Sequence, residues 1–555
     1  MDQYHIEVLA SGDIAKSKEI LQRFVTQHTD TFDFTAIYSQ WTTIWNGIFK
    51  FLRMPCERRA EALHIYPDCL AAIRILSRDK THLNQTITVE QFDTLLNIAN
   101  IGGHNENISD SAIVVEALKC LCNLVFQSTS CQMMCLKNAA IDGIVRRLRT
   151  YKDANVPYDL QYFDMKLLFL ITALNPDVRT KVRDDYHGLT YLVEILDLII
   201  KERSDPNAQH NELSDSQVNL LVEIMKVLFN ITVRNETSVA TEEEEEIQFR
   251  RLAVVLHDLL LCRATTKEKQ LELCSNTINL LTNVPTACYS ELVIPMHLDS
   301  DSSTTSFASV TNLSGIHLFE GHDVTALEIL LEFLKCRLEN MQKLSIQQEL
   351  LSPVLTALVK CARCNKLQRQ YLRQQVLPPL RDVKTRPEVG EHLRNRLVKL
   401  LTTPATQVRD LVADFLFVLC KENVGRMIKY TGYGNAAGLF ANRGLVPVRS
   451  GSSYSGEYSS NSEDSDTEEY KQMQHSINPV VGCYEPPRPN PLEGMSEEQK
   501  EYEAMKLVNL MDQLNRQGLV QPCKIGEDGR PQAVEHILEL QDSIPQQQMD
   551  QSHET

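Results

Sequence analysis

The sequence predicts an all-α protein: an armadillo/HEAT-like α-solenoid superhelix, then a mobile acidic linker and a C-terminal helix. Three observations carry this. Apolar residues recur at three- and four-residue spacing in segment after segment. A polar–apolar–polar signature returns at intervals near those of armadillo and HEAT repeats, about 40–47 residues. Glycine and proline number only 21 each in 555 residues, which is few turns for so long a chain.

The helical spacing runs through 111–126, 158–174, 216–233, 270–283, 323–341, 346–362 and 407–421. The repeat signature reads Ile73-Arg-Ile-Leu-Ser-Arg78, Leu118-Lys-Cys-Leu-Cys-Asn123, Met225-Lys-Val-Leu-Phe-Asn230 and Ile278-Asn-Leu-Leu-Thr-Asn283. A fifth copy, Met165-Lys-Leu-Leu-Phe-Leu170, keeps the first polar position and loses the second. Successive last positions lie 45, 47, 60 and 53 residues apart. The two longer gaps hold polar insertions, Ser204–Ser214 and Glu242–Glu246; a further one, Asp299–Ser309, lies beyond the last copy. Residues 1–425 therefore read as one repeat domain. A glycine-rich segment with Gly432-Tyr-Gly434-Asn-Ala-Ala-Gly438 caps it over 426–445. Residues 446–494, rich in Ser, Gly, Pro, Asn and acid, read as an acidic, phosphorylatable linker. Ser496 with Gln499 is a capping-box pattern and Gly518 a stop, so 495–518 is predicted as an amphipathic helix. The remainder, 519–555, is expected to be a disordered tail.

Composition narrows the function. The formal charge is −17, which repels phosphate backbones and argues against nucleic acid as a partner. No apolar run reaches the ~20 residues that span a bilayer. The N-terminus lacks a basic region followed by an apolar one, so no secretory signal is expected. The 15 cysteines, many inside apolar runs, read as reduced core thiols of a cytoplasmic chain. Cys361 and Cys364 form a single CxxC without a second pair, and no metal or cofactor is expected. The Gly432–Gly438 run has the wrong spacing for a nucleotide loop, and no P-loop pattern is present. No nucleophile or paired-carboxylate constellation stands out. Function by gripping another protein, without covalent chemistry, is the expectation.

The candidate grip is a polar stripe. Arg74/Arg78, Lys119/Asn123, Lys226/Asn230 and Asn279/Asn283 are i,i+4 pairs, each on one face of an otherwise apolar helix, and Lys166 joins them. Stacked repeats would align them into a ladder along the concave surface. Asparagine can pair with a bound peptide backbone, and the cations suit a carboxylate such as a chain terminus. Two other readings stand open: solvated sides of amphipathic helices, or asparagines that bond inter-repeat loops. In the linker, Ser460 and Ser465 each have an acid three residues on, the context favoured by acidophilic casein-type kinases. Phosphates there could dock on Arg363, Lys366, Arg369 and Arg373, which recur at helical spacing. An unmodified acidic spacer is the alternative. In the C-terminal helix, Tyr502, Met505, Val508 and Met511, with Leu514, offer an apolar strip. It could dock on a partner or pack back on the solenoid.

Several of these runs, taken in order, resemble the synembryn family (resistance to inhibitors of cholinesterase, type eight). They are Ile73–Lys80, Leu118–Val125, Gln375-Val-Leu-Pro-Pro-Leu-Arg-Asp-Val383, Arg386-Pro-Glu-Val-Gly390 and Phe415-Leu-Phe-Val-Leu-Cys420. Two more are Lys429-Tyr-Thr-Gly-Tyr-Gly-Asn-Ala-Ala-Gly-Leu439 and Glu498–Asn509. The likeness spans about residues 5–520. It implies a guanine nucleotide exchange factor and folding chaperone for Gα subunits of heterotrimeric G proteins. Such a protein binds Gα-GDP, expels the nucleotide and holds empty Gα until GTP enters. It implies that the concave surface takes the Gα C-terminal helix through Arg74, Arg78, Lys119, Asn123, Phe163 and Phe229. Extension to Lys166, Lys226, Asn230, Asn279 and Asn283 rests on the stripe. The family's phosphorylated positions match Ser460 and Ser465, with Ser462 a competitor for the first register. The expected protein is a monomer, recruited to the cell cortex or plasma membrane through Gα. A plain armadillo scaffold and an importin-like cargo adaptor are the alternatives. The adaptor would need a tryptophan ladder, and this chain has only Trp41 and Trp45.

Overall fold

Helix Ser111–Gln127 explains how the chain is built. Asp110 caps its start by accepting the Ala112 amide at 2.9 Å. Ile113, Val114, Ala117, Leu118, Leu121, Leu124 and Val125 are all buried, a set too wide for one stripe. Such a helix needs neighbours on several sides, and a stack of repeats supplies them. The computed structural model describes residues 3–54, 58, 61–81, 83–103, 108–137, 139–151, 156–202, 212–233, 242–296, 316–339, 344–445, 467–486, 494–518, 520, 523–525 and 531–533.

The principal helices of the first part are α1 (Gln3–Ser11), α2 (Ile14–Gln27), α3 (Trp41–Leu52), α4 (Tyr66–Leu76), α5 (Val89–Ile98), α6 (Ser111–Gln127) and α7 (Thr129–Lys137). Further along are α8 (Ala140–Leu148), α9 (Tyr158–Leu174), α10 (Gly188–Glu202), α11 (Asp215–Thr232), α12 (Glu242–Leu261), α13 (Lys267–Leu281) and α14 (Thr325–Glu339). Next come α15 (Leu344–Cys364), α16 (Lys366–Val376), α17 (Leu393–Leu400), α18 (Thr406–Leu419), α19 (Val424–Thr431), α20 (Tyr433–Arg443) and α21 (Glu497–Arg516). Strands among the described residues are two- and three-residue pairings only. The all-α solenoid class expected from the periodicity is therefore the observed one.

The chain forms two compact units, Met1–Arg337 with Thr356–Gln368, and Leu338–Leu355 with Arg369–Thr555. This division falls inside the stretch 1–425 that reads as one repeat domain.

In the first unit α4, α6, α9, α11 and α13 pack one on the next as an inner row. Helices α3, α5, α8, α10 and α12 each back one of them. All five copies of the repeat signature sit on or at the end of this inner row. Capping boxes start α5 (Thr88 with Gln91) and α11 (Ser214 with Gln217). The described cysteines are free thiols, most of them buried, as their apolar settings predict. No single described helix is long and apolar enough to cross a membrane.

In the second unit α17, α18, α19 and α20 form the helical body. Gly432, with φ +73°, makes the corner between α19 and α20, so the Gly432–Gly438 run is a helix junction. Part of the stretch read as a linker is ordered. Residues 467–486 carry a short helix, Glu468–Met473, and an antiparallel pairing of Ile477–Asn478 with Cys483–Tyr484. Composition points to a linker there, but backbone groups of this segment are paired with the helical body. Helix α21 has the predicted Ser496–Gln499 capping box and no buried residue.

Candidate functional site

The polar stripe becomes one connected face of the inner row. Arg74 Nε donates to Glu116 Oε2 at 3.2 Å, and Lys119 Nζ donates to Glu116 Oε1 at 2.6 Å. Lys119 also lies over the Phe163 ring at 5.2 Å. Lys226 donates to Glu223 at 2.7 Å and lies 4.9 Å over the Phe169 ring. Lys166 takes the Tyr162 hydroxyl as its partner at 3.3 Å, 5.4 Å above that ring. Burial disfavours the Lys166 charge, but the Tyr162 hydrogen bond and the Glu223 carboxylate outweigh it and hold its pKa above the usual value. Arg78, just past the end of α4, reaches the Thr29 carbonyl at 2.5 Å and lies 5.1 Å over the Phe32 ring. Phe229 is 36% exposed on the same row.

The asparagines have a second employment. Asn123 Nδ2 donates to the Arg74 carbonyl at 3.2 Å. Asn230 Nδ2 donates to Thr172 Oγ1 at 3.1 Å and Asn283 Nδ2 to the Phe229 carbonyl at 2.9 Å and Thr232 Oγ1 at 3.0 Å. Each bond runs back to the preceding inner helix. Ser77, Thr172 and Thr232 recur three residues after Arg74, Phe169 and Phe229, and each donates its hydroxyl to that residue's carbonyl. The asparagine donors thus join repeat to repeat, at helix carbonyls rather than at loops. The copy with Leu170 has no such amide to offer α6. There a long Cys122 thiol contact reaches the Phe163 carbonyl at 4.0 Å. Asn279 is half-buried on α13.

Sequence reading missed the acids. Glu116 and Glu223 each stand three residues before a stripe lysine, a spacing that pairs charges on a helix and could have revealed them. Glu223 is buried, and its Oε2 has no hydrogen-bond partner among the described residues. The ladder is therefore basic with built-in counter-charges.

Ser460, Ser462 and Ser465 lie outside the described residues. Of the expected phosphate dock, Arg363 lies in the last turn of α15 and Lys366 begins α16, both in the first unit; Arg369 and Arg373 belong to the second. Cys361 is buried, its thiol pKa pushed far up by burial, and no metal-ligand cluster occurs among the described residues.

On α21 Tyr502 is 69% and Met505 62% exposed, Met511 is exposed and Val508 half-buried. Leu507 and Leu510, absent from the predicted strip, are also exposed. A strict three-residue run winds around a helix, drifting about 60° per step. Leu507, Met511 and Leu514, at i, i+4 and i+7, share the tighter face.

A family model for the guanine nucleotide exchange factor synembryn matches residues 69–530. The Chaperone Ric-8 of Drosophila pseudoobscura pseudoobscura is 42% identical, with 100% of both chains covered. The Chaperone Ric-8A of Danio rerio is 38% identical over 96% of this chain and 94% of its own. A solved chain from work on a phosphorylation switch between cadherin and beta-catenin has a TM-score of 0.46 at 9% identity, covering 80% of this chain and 69% of that one. By the family match and the near full-length identities, the chain belongs to the guanine nucleotide exchange factor synembryn family.

Proposed function

We propose that this protein binds Gα subunits of heterotrimeric G proteins in the GDP form, releases GDP and holds the nucleotide-free subunit until GTP binds. The same grip on a partly folded GTPase domain makes it a chaperone for newly made Gα. The family description and the relatives' chaperone names support the two halves. The observation that carries the mechanism is the ladder of Arg74, Lys119, Lys166 and Lys226 with the Phe163, Tyr162 and Phe169 rings, and Phe229 part-exposed on the same row. Four cations, three of them over aromatic rings, suit an amphipathic helix that ends in a carboxylate, which is the Gα C-terminus.

Exchange needs only that the protein bind empty Gα more tightly than nucleotide-bound Gα. Drawing the C-terminal helix onto the ladder breaks its contacts near the nucleotide. The apolar face of α21 supports the opened GTPase domain meanwhile. GTP reverses the coupling and releases the complex. No covalent chemistry enters. Phosphorylation of Ser460 and Ser465 by a casein-type kinase would add negative charge and acceptor oxygens beside segment 467–486. The protein acts as a monomer and reaches the cell cortex through Gα.

The test is GDP release from purified Gα. The chain should accelerate it, and Arg74→Ala with Phe229→Ala should abolish the acceleration while the far-ultraviolet spectrum stays helical. Unchanged GDP release with the intact chain would sink the exchange reading and leave a peptide-binding scaffold.

A further inference from the structure

The segment 467–486 is fastened to the second unit at several separate points. The Thr467 hydroxyl donates to the Leu380 carbonyl and also caps helix Glu468–Met473 by accepting the Tyr470 amide. Lys429 lies 4.4 Å over the Tyr470 ring. The Tyr484 amide donates to the Val383 carbonyl at 2.7 Å. The first two amides of α20, Tyr433 and Gly434, have no partner inside their own helix. They donate to the Pro479 and Val480 carbonyls at 2.8 and 2.9 Å.

Two glycines allow this approach. Gly432 and Gly482 both have φ +73°. A Cβ on Gly482 would stand 2.8 Å from Pro387 Cγ and 2.9 Å from Gly432 Cα. A Cβ on Gly432 would meet the Val481 carbonyl at 3.0 Å. Neither backbone can back away without breaking the amide pairs beside it. Any side chain at Gly482 therefore opposes docking.

The helix just beyond the segment gives this docking a use. Only residues 487–496 separate the segment from α21, whose apolar face is unburied. Ten residues reach at most about 35 Å. Were the segment loose, 53 residues, 444–496, would separate α21 from α20. Effective concentration falls roughly as the −3/2 power of tether length, so undocking would lower it about tenfold.

We propose that segment 467–486 is the anchor that sets the reach of α21, with Gly432 and Gly482 as its positioning residues. This rests on the reading that α21 supports the Gα GTPase domain. The test is a cycle in the full chain: wild type, Gly482→Val, Leu507→Asp with Met511→Asp, and all three together. Binding to nucleotide-free Gα and amide exchange at Tyr433 and Gly434 are measured for each. Gly482→Val should speed exchange at both amides and weaken Gα binding about tenfold. In the background with a polar α21 face it should weaken binding no further. Equal loss in both backgrounds would mean a damaged body and overturn the proposal. So would amides that stay protected, or amides exposed with binding unchanged. A wild-type chain that neither binds Gα nor releases GDP would overturn the functional reading along with it, a result distinct from all three.

Discussion

The amide of Asn123 donates to the backbone carbonyl of Arg74 across neighbouring inner helices, at 3.2 Å. That carbonyl belongs to the last turn of α4, where carbonyls lack helical partners. Ser77 Oγ supplies the other bond, at 2.9 Å. One residue thus helps hold two repeats in register while standing beside a cation of the ladder. Asn123→Ala should cost about 1 kcal/mol in a urea melt, the usual worth of one such bond. Arg74→Ala should weaken Gα binding with a smaller effect on the melt. An unchanged melt in the asparagine variant would show that the bond contributes nothing to the stack.

Glu116 restrains both Arg74 and Lys119, so it competes with any carboxylate the ladder receives. Glu116→Gln should tighten binding of a peptide with the Gα C-terminal sequence two- to tenfold, on the order of 1 kcal/mol for charges near a surface. The gain should shrink as salt rises. Titration calorimetry at low and high salt checks both parts. Weaker binding would assign Glu116 to orienting the cations instead.

Asp79, next to Arg78, ties the N-terminal loop to the end of α4. It accepts the Phe34 amide at 3.2 Å, the Tyr38 hydroxyl at 2.8 Å and the Thr81 amide at 3.0 Å. Burial alone would raise its pKa; the hydrogen bonds outweigh burial and hold the carboxyl below its usual value. The unfolded chain, with an ordinary aspartate near 3.9, takes up the proton at higher pH than the folded one. The stabilisation is therefore complete above the unfolded value and disappears as pH falls through the folded one. Asp79→Asn should lose about 1–3 kcal/mol at pH 7. Urea melts of the two proteins should converge below about pH 4.

Beneath the ladder, Arg147 pairs with the fully buried Asp164 through two bonds, one of 2.7 Å, and reaches the Ala99 carbonyl at 2.7 Å. Burial pushes the Asp164 pKa up, with Arg147 and the Tyr151 hydroxyl opposing. Arg147→Ala strands that carboxylate and should cost about 3–5 kcal/mol. Adding Asp164→Leu should recover a large part of the loss, since the charge is then gone. Chemical melts of the single and double variants read this directly.

The sequence by itself determined the class, the repeat and the location of the ladder. Apolar spacing dictates which helix faces must be buried, and the signature around Arg74, Lys119, Lys166, Lys226 and Asn279 recurs because every repeat meets the same two neighbours. The capping box at Ser496 and Gln499 was equally local and equally legible. Tertiary structure decided what each polar group does. The sequence left two uses open for the stripe asparagines, peptide binding or bonds between repeats; Asn123, Asn230 and Asn283 each make a bond to the preceding helix, because a side chain on a stacked row meets protein on one side. Glu116 and Glu223 pair locally with Lys119 and Lys226, but the Glu116 bond to Arg74 exists only across the stack. The docking of 467–486 was invisible in a composition typical of linkers. It depends on backbone amides of α20 and on two glycines, Gly432 and Gly482, about fifty residues apart in the chain and in contact only once it is folded. Pairing between distant backbones leaves no periodic trace in the residues that make it, so only the assembled structure could place it.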